Sequence, residues 1–158
     1  MGNIYSAKVI AKDVRIAMVA SRFNELVTSQ LLKGAQDALE RHSDSKTDCD
    51  IFWVPGSFEL PAVARKLCDS KKFDGIVALG ALIRGGTDHY DLLATEVTKG
   101  LANLSMHAAI PVSFGVLTCD TLEQALERAG TKAGNKGAEA MVSLIELINL
   151  GRAIDKIK

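Results

Sequence analysis

The stretch GIVALGALIRGGTDHYD, residues 75–91, decides the fold because it begins as an apolar run and ends in polar side chains. Its first nine residues carry no charge, which is typical of a strand covered on both faces in a parallel sheet. Arg84, two glycines, Thr87 and His89 follow at once. This pattern fits two structures: an ordinary glycine-rich turn before a helix, or a site that holds a phosphate beside a group that transfers protons.

The rest of the chain repeats this alternation of strand and helix. Three further apolar runs predict strands: VRIAMVAS (14–21), CDIFWVPG (49–56) and PVSFGVLT (111–118). Helical spacing of apolar residues predicts helices over about 24–41, 59–69, 88–107, 120–130 and 135–153. Such alternation favours right-handed crossovers and a parallel sheet with helices on both faces, so we expect an α/β protein with a three-layer α/β/α sandwich.

The domain organisation follows from length and the absence of linkers. The 158 residues contain no internal repeat and no low-complexity segment, so we expect a single domain over 1–158. Residues 1–12 form an N-terminal extension, with alternating character, that could add a strand to its own sheet or to a neighbour's. The last helix is apolar on more than one face, which favours a subunit interface.

Composition argues against several classes of partner. Lys plus Arg and Asp plus Glu number 19 each, so no overall field favours nucleic acid or an anionic membrane. No apolar run approaches the length of a membrane span, and the N-terminus lacks the pattern of a secretory signal. The three cysteines and the spacing of the histidines suggest buried thiols and no metal site. We therefore expect a cytoplasmic protein.

The ends of the strands hold the candidate functional residues, because ligands of open parallel sheets bind outside the carboxyl ends of the strands. Phe23 follows the first strand and either packs on the next helix or stacks on a flat ring. Glu59 follows the second and either stabilises a helix N-terminus or accepts hydrogen bonds from ligand hydroxyls. Arg128 and Lys136 lie around a helix C-terminus and the glycine-rich link that follows it. They either stabilise this helix end as cations or bind a phosphate.

Five motifs in this order and spacing resemble the lumazine synthase family over about residues 12–150: SRFN, VPGSFELP, ALGALIRGGTDHYD, PVSFGVLT and LERAGTKAGNKGAEA. The resemblance implies a flavodoxin-like fold with a four-stranded parallel core. It also implies a condensation of 5-amino-6-(D-ribitylamino)uracil with 3,4-dihydroxy-2-butanone 4-phosphate to 6,7-dimethyl-8-ribityllumazine, with release of water and phosphate. This reaction belongs to riboflavin biosynthesis and needs no cofactor and no metal.

The resemblance also implies a role for each matching residue. His89 is the expected catalytic residue, which shuttles protons. The pyrimidine and its ribityl chain are expected to contact Phe23, Ser57, Phe58, Glu59, Ala81, Leu82, Ile83 and a neighbouring subunit's Phe114. The phosphate is expected to be bound by Gly86, Thr87, Arg128 and Lys136.

Family resemblance further implies homopentamers with active sites between adjacent subunits. The uninterrupted GTKAGNKG link, residues 130–137, is similar to that of members whose pentamers form icosahedral shells, and riboflavin synthase is a candidate partner for such a shell. Two other functions remain open at this point. A non-catalytic flavin or lumazine carrier would use the same pocket, and a nucleotide-binding regulator is disfavoured because no GxGxxG or P-loop motif follows a strand.

Overall fold

The computed structural model describes residues 2–45, 47–132 and 134–157. Within these residues the chain forms one sheet of four strands: β1 (Arg15–Ser21), β2 (Asp48–Val54), β3 (Gly75–Ile83) and β4 (Val112–Cys119). The helices are α1 (Glu25–His42), α2 (Leu60–Asp69), α3 (His89–His107), α4 (Leu122–Arg128) and α5 (Lys136–Ile154). A short 3₁₀ turn, Ser57–Glu59, precedes α2. The predicted elements are confirmed, with bounds that shift by one or two residues at most ends.

The sheet is entirely parallel and has the strand order β2-β1-β3-β4. The chain leaves β1 on one side to form β2 and returns past β1 to form β3. The order therefore reverses between β1 and β3, which is where ligands bind in flavodoxin-like sheets. This arrangement confirms the predicted three-layer, flavodoxin-like sandwich.

The helices pack in two separate cores, one on each face of the sheet. One core joins the sheet to α1, α4 and α5, and the other joins it to α2 and α3. Along β3, Val77 and Leu79 face the first core, whereas Ile76 and Ala78 face the second, and all four are fully buried. Because both faces of this strand are covered, its sequence has no polar alternation.

The N-terminal extension lies against the last helix and not in the sheet. The side chain of Asn149 donates to the carbonyl oxygens of Lys8 and Ile10 at 2.7 and 2.9 Å. Residues 2–10 contain no strand, so the alternative that they extend their own sheet is wrong. The alternative that they join a neighbour's sheet stays a prediction.

Helix α5 is only partly covered by its own chain. Met141, Leu144, Ile145 and Ile148 are buried against α1 and the sheet. Leu147 remains 45% exposed. The expectation that this helix is apolar on more than one face therefore holds, and the subunit interface inferred from it stays a prediction.

All three cysteines are free thiols in the structure. Cys68 and Cys119 are buried, Cys49 is half-buried, and none forms a disulfide. Among the described residues, no helix combines the length and apolarity needed to span a bilayer.

Candidate active site

The turn after β1 presents Phe23 at the carboxyl edge of the sheet, where the strands end. The amides of Arg22 and Phe23 donate to the carbonyl oxygens of Val54 and Pro55 at 2.8 and 3.0 Å. These bonds continue the pairing of β1 with β2 beyond both strands. The Phe23 side chain is nevertheless 70% exposed, so a fixed backbone carries an aromatic ring that its own chain leaves uncovered.

Asn24 fastens this turn to β3 across the point where the strand order reverses. Its backbone is left-handed, with φ 61° and ψ 43°, a conformation that asparagine tolerates better than most residues. Its side-chain amide donates to the carbonyl oxygen of Ala81 at 2.8 Å. The position of Phe23 relative to the end of β3 is therefore fixed by a direct hydrogen bond.

The turn after β2 holds three of the predicted site residues in different environments. Ser57 is buried at 3% exposure, whereas the neighbouring Phe58 is 66% exposed. A Cβ atom on Gly80 would lie 2.7 Å from the Ser57 oxygen, so glycine at this point of β3 lets the turn pack directly on the strand. Phe58 is thus a second aromatic side chain at this edge that faces solvent.

Glu59 stabilises the start of a helix, which is one of the two roles that the sequence left open. Its Oε2 atom accepts a hydrogen bond from the amide of Gly56 at 2.9 Å, which closes the turn before α2. Its other carboxylate oxygen has no partner among the described residues, and the side chain is half-buried. One oxygen therefore remains available to accept a hydrogen bond.

The end of β3 supplies backbone more than side chains. Ala81 and Leu82 are buried, and Ile83 is half-buried. The amide of Arg84 donates to the carbonyl oxygen of Cys119 at 2.9 Å, which extends the β3–β4 pairing by one residue. Backbone groups at this edge are therefore held in register with β4.

The Gly85–Asp88 segment (called the glycine loop below) and His89 are exposed along their whole length. A Cβ atom on Gly85 or Gly86 would meet nothing within 4 Å. Helix α3 begins at His89 with Asp88 as N-cap and without a side-chain capping bond. The first amides of α3 have no acceptor within the helix.

Arg84 differs from the free cation that the sequence suggested beside the glycines. Its Nε donates to Asp120 at 2.9 Å and its Nη1 donates to Asp91 at 3.0 Å. The guanidinium carbon lies 4.4 Å from the centre of the Tyr90 ring. The two carboxylates raise the pKa of Arg84 through hydrogen bonds, first from Asp91 and then from Asp120, so the charge of this residue is engaged within the chain.

The two other predicted cations flank the link between α4 and α5. Arg128 is exposed, and its Nη1 lies 3.4 Å from the Gln124 carbonyl oxygen. Burial raises the pKa of the Cys119 thiol at the end of β4, and the positive charge of Arg128 opposes that rise. Lys136 forms an ion pair with Glu139 at 2.6 Å in the first turn of α5.

Asn135 organises this link through four hydrogen bonds. Its amide nitrogen donates to the carbonyl oxygens of Gln30 and Ala129, and its side-chain oxygen accepts from the amides of Gly137 and Ala138. The side chain therefore joins α1, the end of α4 and the start of α5. As a result, the residues next to Arg128 and Lys136 are both fixed by one side chain.

Phe114 does not join the other predicted residues within one chain. It pairs with Ala78 in the middle of the sheet, whereas the ends of the strands pair Ile83 with Cys119. Five residues of strand correspond to roughly 16 Å. Phe114 is 46% exposed and lines a cavity of about 210 Å³ between β4 and α3, away from the carboxyl edge.

Sequence reasoning missed three residues that build this edge: Asn24, Asp120 and Asn135. Asn24 and Asn135 each stand just before a helix, which is a detectable signal for a cap. Their bonds to Ala81 and Gln30 have no local signal, because these partners are backbone carbonyls far away in sequence. Asp120 directly precedes Thr121, whose side chain caps α4 by accepting a bond from the Gln124 amide, and the bond of Asp120 to Arg84 has no local signal either.

The chain was also compared with known protein families. The family model for 6,7-dimethyl-8-ribityllumazine synthase matches residues 13–152. The chain belongs to this family. Every predicted site residue of the sequence lies inside the matched range, and the match begins where the N-terminal extension ends. Membership of the 6,7-dimethyl-8-ribityllumazine synthase family implies lumazine synthase activity in riboflavin biosynthesis, with small molecules as substrates.

Proposed function

We propose that this protein condenses 5-amino-6-(D-ribitylamino)uracil with 3,4-dihydroxy-2-butanone 4-phosphate to 6,7-dimethyl-8-ribityllumazine. The observation that carries the proposal is the family match over residues 13–152. The clustering of three strand ends at the point where strand order reverses supports it. The proposed enzyme acts in the cytoplasm as a single domain and uses neither a metal nor a cofactor.

The pyrimidine substrate binds between the turn after β1 and the end of β3. Phe23 stacks on the ring, and its high exposure in the isolated chain supports this role. Backbone groups of Ala81, Leu82 and Ile83 bind the ring edge. Ser57, Phe58 and Glu59 line the ribityl chain, where the free carboxylate oxygen of Glu59 accepts hydroxyl hydrogen bonds.

The phosphate of the second substrate binds at Gly86 and Thr87. Open space above the glycines and the free amides at the start of α3 suit an anion there. Arg128 and Lys136 supply positive charge, which a phosphate dianion requires in addition to amides. The engagement of Arg84 with two carboxylates is the reason that these residues, and not Arg84, are assigned this role.

The reaction forms two carbon–nitrogen bonds and eliminates phosphate, and its steps require proton transfers. The 5-amino group adds to the ketone, and loss of water gives an imine. Removal of a proton from carbon then expels phosphate and leaves an enol, which tautomerises to a ketone. The ribitylamine nitrogen attacks this ketone, and loss of a second water closes the ring.

Each step has a group that suits it. His89 transfers the protons, because imidazole is effective as both acid and base near neutral pH. The amides and cations at the phosphate stabilise the charge that develops as it leaves. Holding both substrates together supplies much of the remaining rate enhancement.

One chain does not bring all of these residues together, so the proposal includes an oligomer. Phe114 lies about 16 Å back along β4, and a neighbouring subunit supplies it to each site. A pentamer with active sites between adjacent subunits satisfies this geometry. Because the α4–α5 link carries no insertion, we extend the proposal to icosahedral shells of pentamers, with riboflavin synthase as a candidate content.

A two-substrate assay tests the proposal. Purified protein, given both substrates and no cofactor, is expected to form a product with the absorbance of 6,7-dimethyl-8-ribityllumazine and one phosphate per product. Omitting either substrate is the control. Tight binding of the lumazine without any turnover would instead identify a non-catalytic carrier of the same fold, and neither binding nor turnover would refute both functions.

A further inference from the structure

Arg84 connects three elements around the glycine loop, although its own side chain lies outside the proposed phosphate contacts. It leaves the end of β3, bonds to Asp91 in the first turn of α3 and bonds to Asp120 just beyond β4. Its guanidinium also stacks on Tyr90, the residue after His89. Two charge-assisted hydrogen bonds and a cation–π contact thus converge on one side chain.

We call the contacts of Arg84 with Tyr90, Asp91 and Asp120 the clasp. Few other contacts hold the glycine loop that it encloses. A Cβ atom added to Gly85 or Gly86 would meet nothing within 4 Å, and residues 84–89 are all exposed. Asp88 makes no side-chain capping bond to α3. Apart from the start of the helix itself, the Arg84 side chain is the tie that fixes this loop among the described residues.

We infer that Arg84 is a positioning residue that sets the geometry of His89 and of the Gly86–Thr87 phosphate cradle. The clasp joins Arg84 to Asp91, and His89 and the Gly86–Thr87 cradle both lie between these two residues in the sequence. The inference rests on the proposed function for the identity of the substrates. The clasp itself is a property of the fold.

A second role for Arg84 would fit the sequence equally well: direct binding of the phosphate. The ion pairs argue against it, because two carboxylates already neutralise one guanidinium and a phosphate would have to compete with both. The two roles make opposite predictions for the carboxylates. If Arg84 positions the loop, Asp91 and Asp120 are needed, whereas if it binds phosphate, they hinder it.

Steady-state kinetics of two variants separate these roles. Both Arg84→Gln and the double variant Asp91→Asn/Asp120→Asn are expected to lower kcat on the order of tenfold, because misplacing a reacting group by a fraction of an ångström slows the reaction. The KM for the phosphorylated substrate is expected to rise to a similar extent in both variants, because both loosen the Gly86–Thr87 cradle. A tenfold rise of that KM in Arg84→Gln together with an unchanged or lower KM in the double variant would overturn the inference. An unchanged kcat in either variant would overturn it as well.

Hydrogen exchange tests the clasp without any turnover. In full-length Arg84→Gln, the amides of residues 92–95 are expected to exchange about tenfold faster, because the start of α3 frays when its ties are lost. Arg65→Gln, which removes the exposed Arg65–Asp69 pair on α2, is the matched control and should alter neither exchange nor kcat. If the wild-type protein lacked turnover, the proposed function would fail while the exchange result still decided the clasp. Unchanged exchange in Arg84→Gln would refute it.

Discussion

The side-chain nitrogen of Asn24 lies 2.8 Å from the carbonyl oxygen of Ala81, and this bond joins the turn after β1 to the end of β3. Both ends of the bond adjoin proposed ligand contacts, since Phe23 precedes Asn24 and Leu82 follows Ala81. A single amide therefore sets the distance between the stacking ring and the backbone that faces it. The bond forms from a left-handed backbone at Asn24.

Substitutions of Asn24 should separate the hydrogen bond from the backbone conformation. Asn24→Gly keeps the left-handed conformation and loses the bond, at a cost of about 1 kcal/mol. Asn24→Ala loses the bond and adds a backbone cost of about 1–2 kcal/mol. We expect the alanine variant to unfold at lower urea concentration than the glycine variant, measured at equal protein concentration. Equal midpoints for the two variants would contradict the role of the left-handed backbone.

Replacing His89 with alanine should slow the chemistry and spare binding. We expect kcat to fall about 100-fold or more, since a positioned acid–base group contributes roughly 10²–10⁴. The affinity for the product, measured by fluorescence titration, should change little. His107→Ala is the matched control. His107 lies at the other end of α3, and its Nδ1 forms a hydrogen bond within the helix, to the Asn103 carbonyl oxygen. Equal kcat values for the two variants would exclude His89 as the proton shuttle.

Replacing Arg128 with alanine should impair the phosphorylated substrate selectively. Loss of a charge-assisted phosphate contact is expected to raise the KM for that substrate about tenfold or more, with little effect on the KM for the pyrimidine. Lys132→Ala is the matched control. It removes a nearby exposed cation that forms a long ion pair with Glu127, at 3.8 Å, and it should have no comparable effect. A normal KM in the Arg128 variant would make the phosphate assignment wrong.

A mixing experiment can test whether each active site needs two subunits. Phe23→Ala and Phe114→Ala are each expected to be poorly active because each damages every site. If the two variants are unfolded and refolded together in equal amounts, roughly a quarter of the sites should combine two intact halves, and activity should reappear. Activity that stayed at the average of the separate variants would mean that both residues act from the same chain.

Light scattering tests the size of the assembly independently of activity. We expect the wild-type protein to form a species much larger than a pentamer, as proposed from the α4–α5 link. A single pentamer-sized species at micromolar concentration would refute the shell and leave the pentamer intact. A monomer would refute both.

The half-buried thiol of Cys49 gives a prediction for alkaline pH. Burial, with a smaller contribution from Asp50, raises the pKa of Cys49 to about 11. A raised pKa stabilises the folded state below the unfolded pKa of about 8.5–9, and this contribution is lost as the pH rises towards 11. We expect alkylation of Cys49 in the native protein, read by peptide mass spectrometry, to be slow at pH 8 and to accelerate above pH 10. Fast labelling at pH 8 would contradict the raised pKa of Cys49.

The sequence predicts the layers and strands of this protein because both signals are local. The uncharged run of β3 follows directly from burial on both faces, and each helix shows its apolar spacing. The gathering of Phe23, Glu59 and His89 at one edge also follows, since parallel strands end together. These features need no knowledge of distant contacts.

The role of Arg84 illustrates what sequence reasoning could not reach. A guanidinium beside two glycines suggests anion binding, and only the fold shows that Asp120, which is distant in sequence, lies beside it. The same holds for the amide of Asn24. The proposed role of Phe114 rests on the family resemblance alone, because a residue in mid-strand carries no sequence signal of a neighbouring subunit.

The division of the interior into two cores has a consequence for heat-sensitive mutants. Arg128 and Lys136 lie on or beside helices of the core that contains Met141 and Leu144, whereas His89 begins a helix of the core that contains Val97 and Leu101. Truncations on the first side should therefore weaken capture of the four-carbon sugar phosphate before they slow bond making. Truncations on the second side should impair both steps, because Gly86, Thr87 and His89 all lie at the start of α3, so heat-sensitive mutants should fall into two kinetic classes according to the face of the sheet they damage.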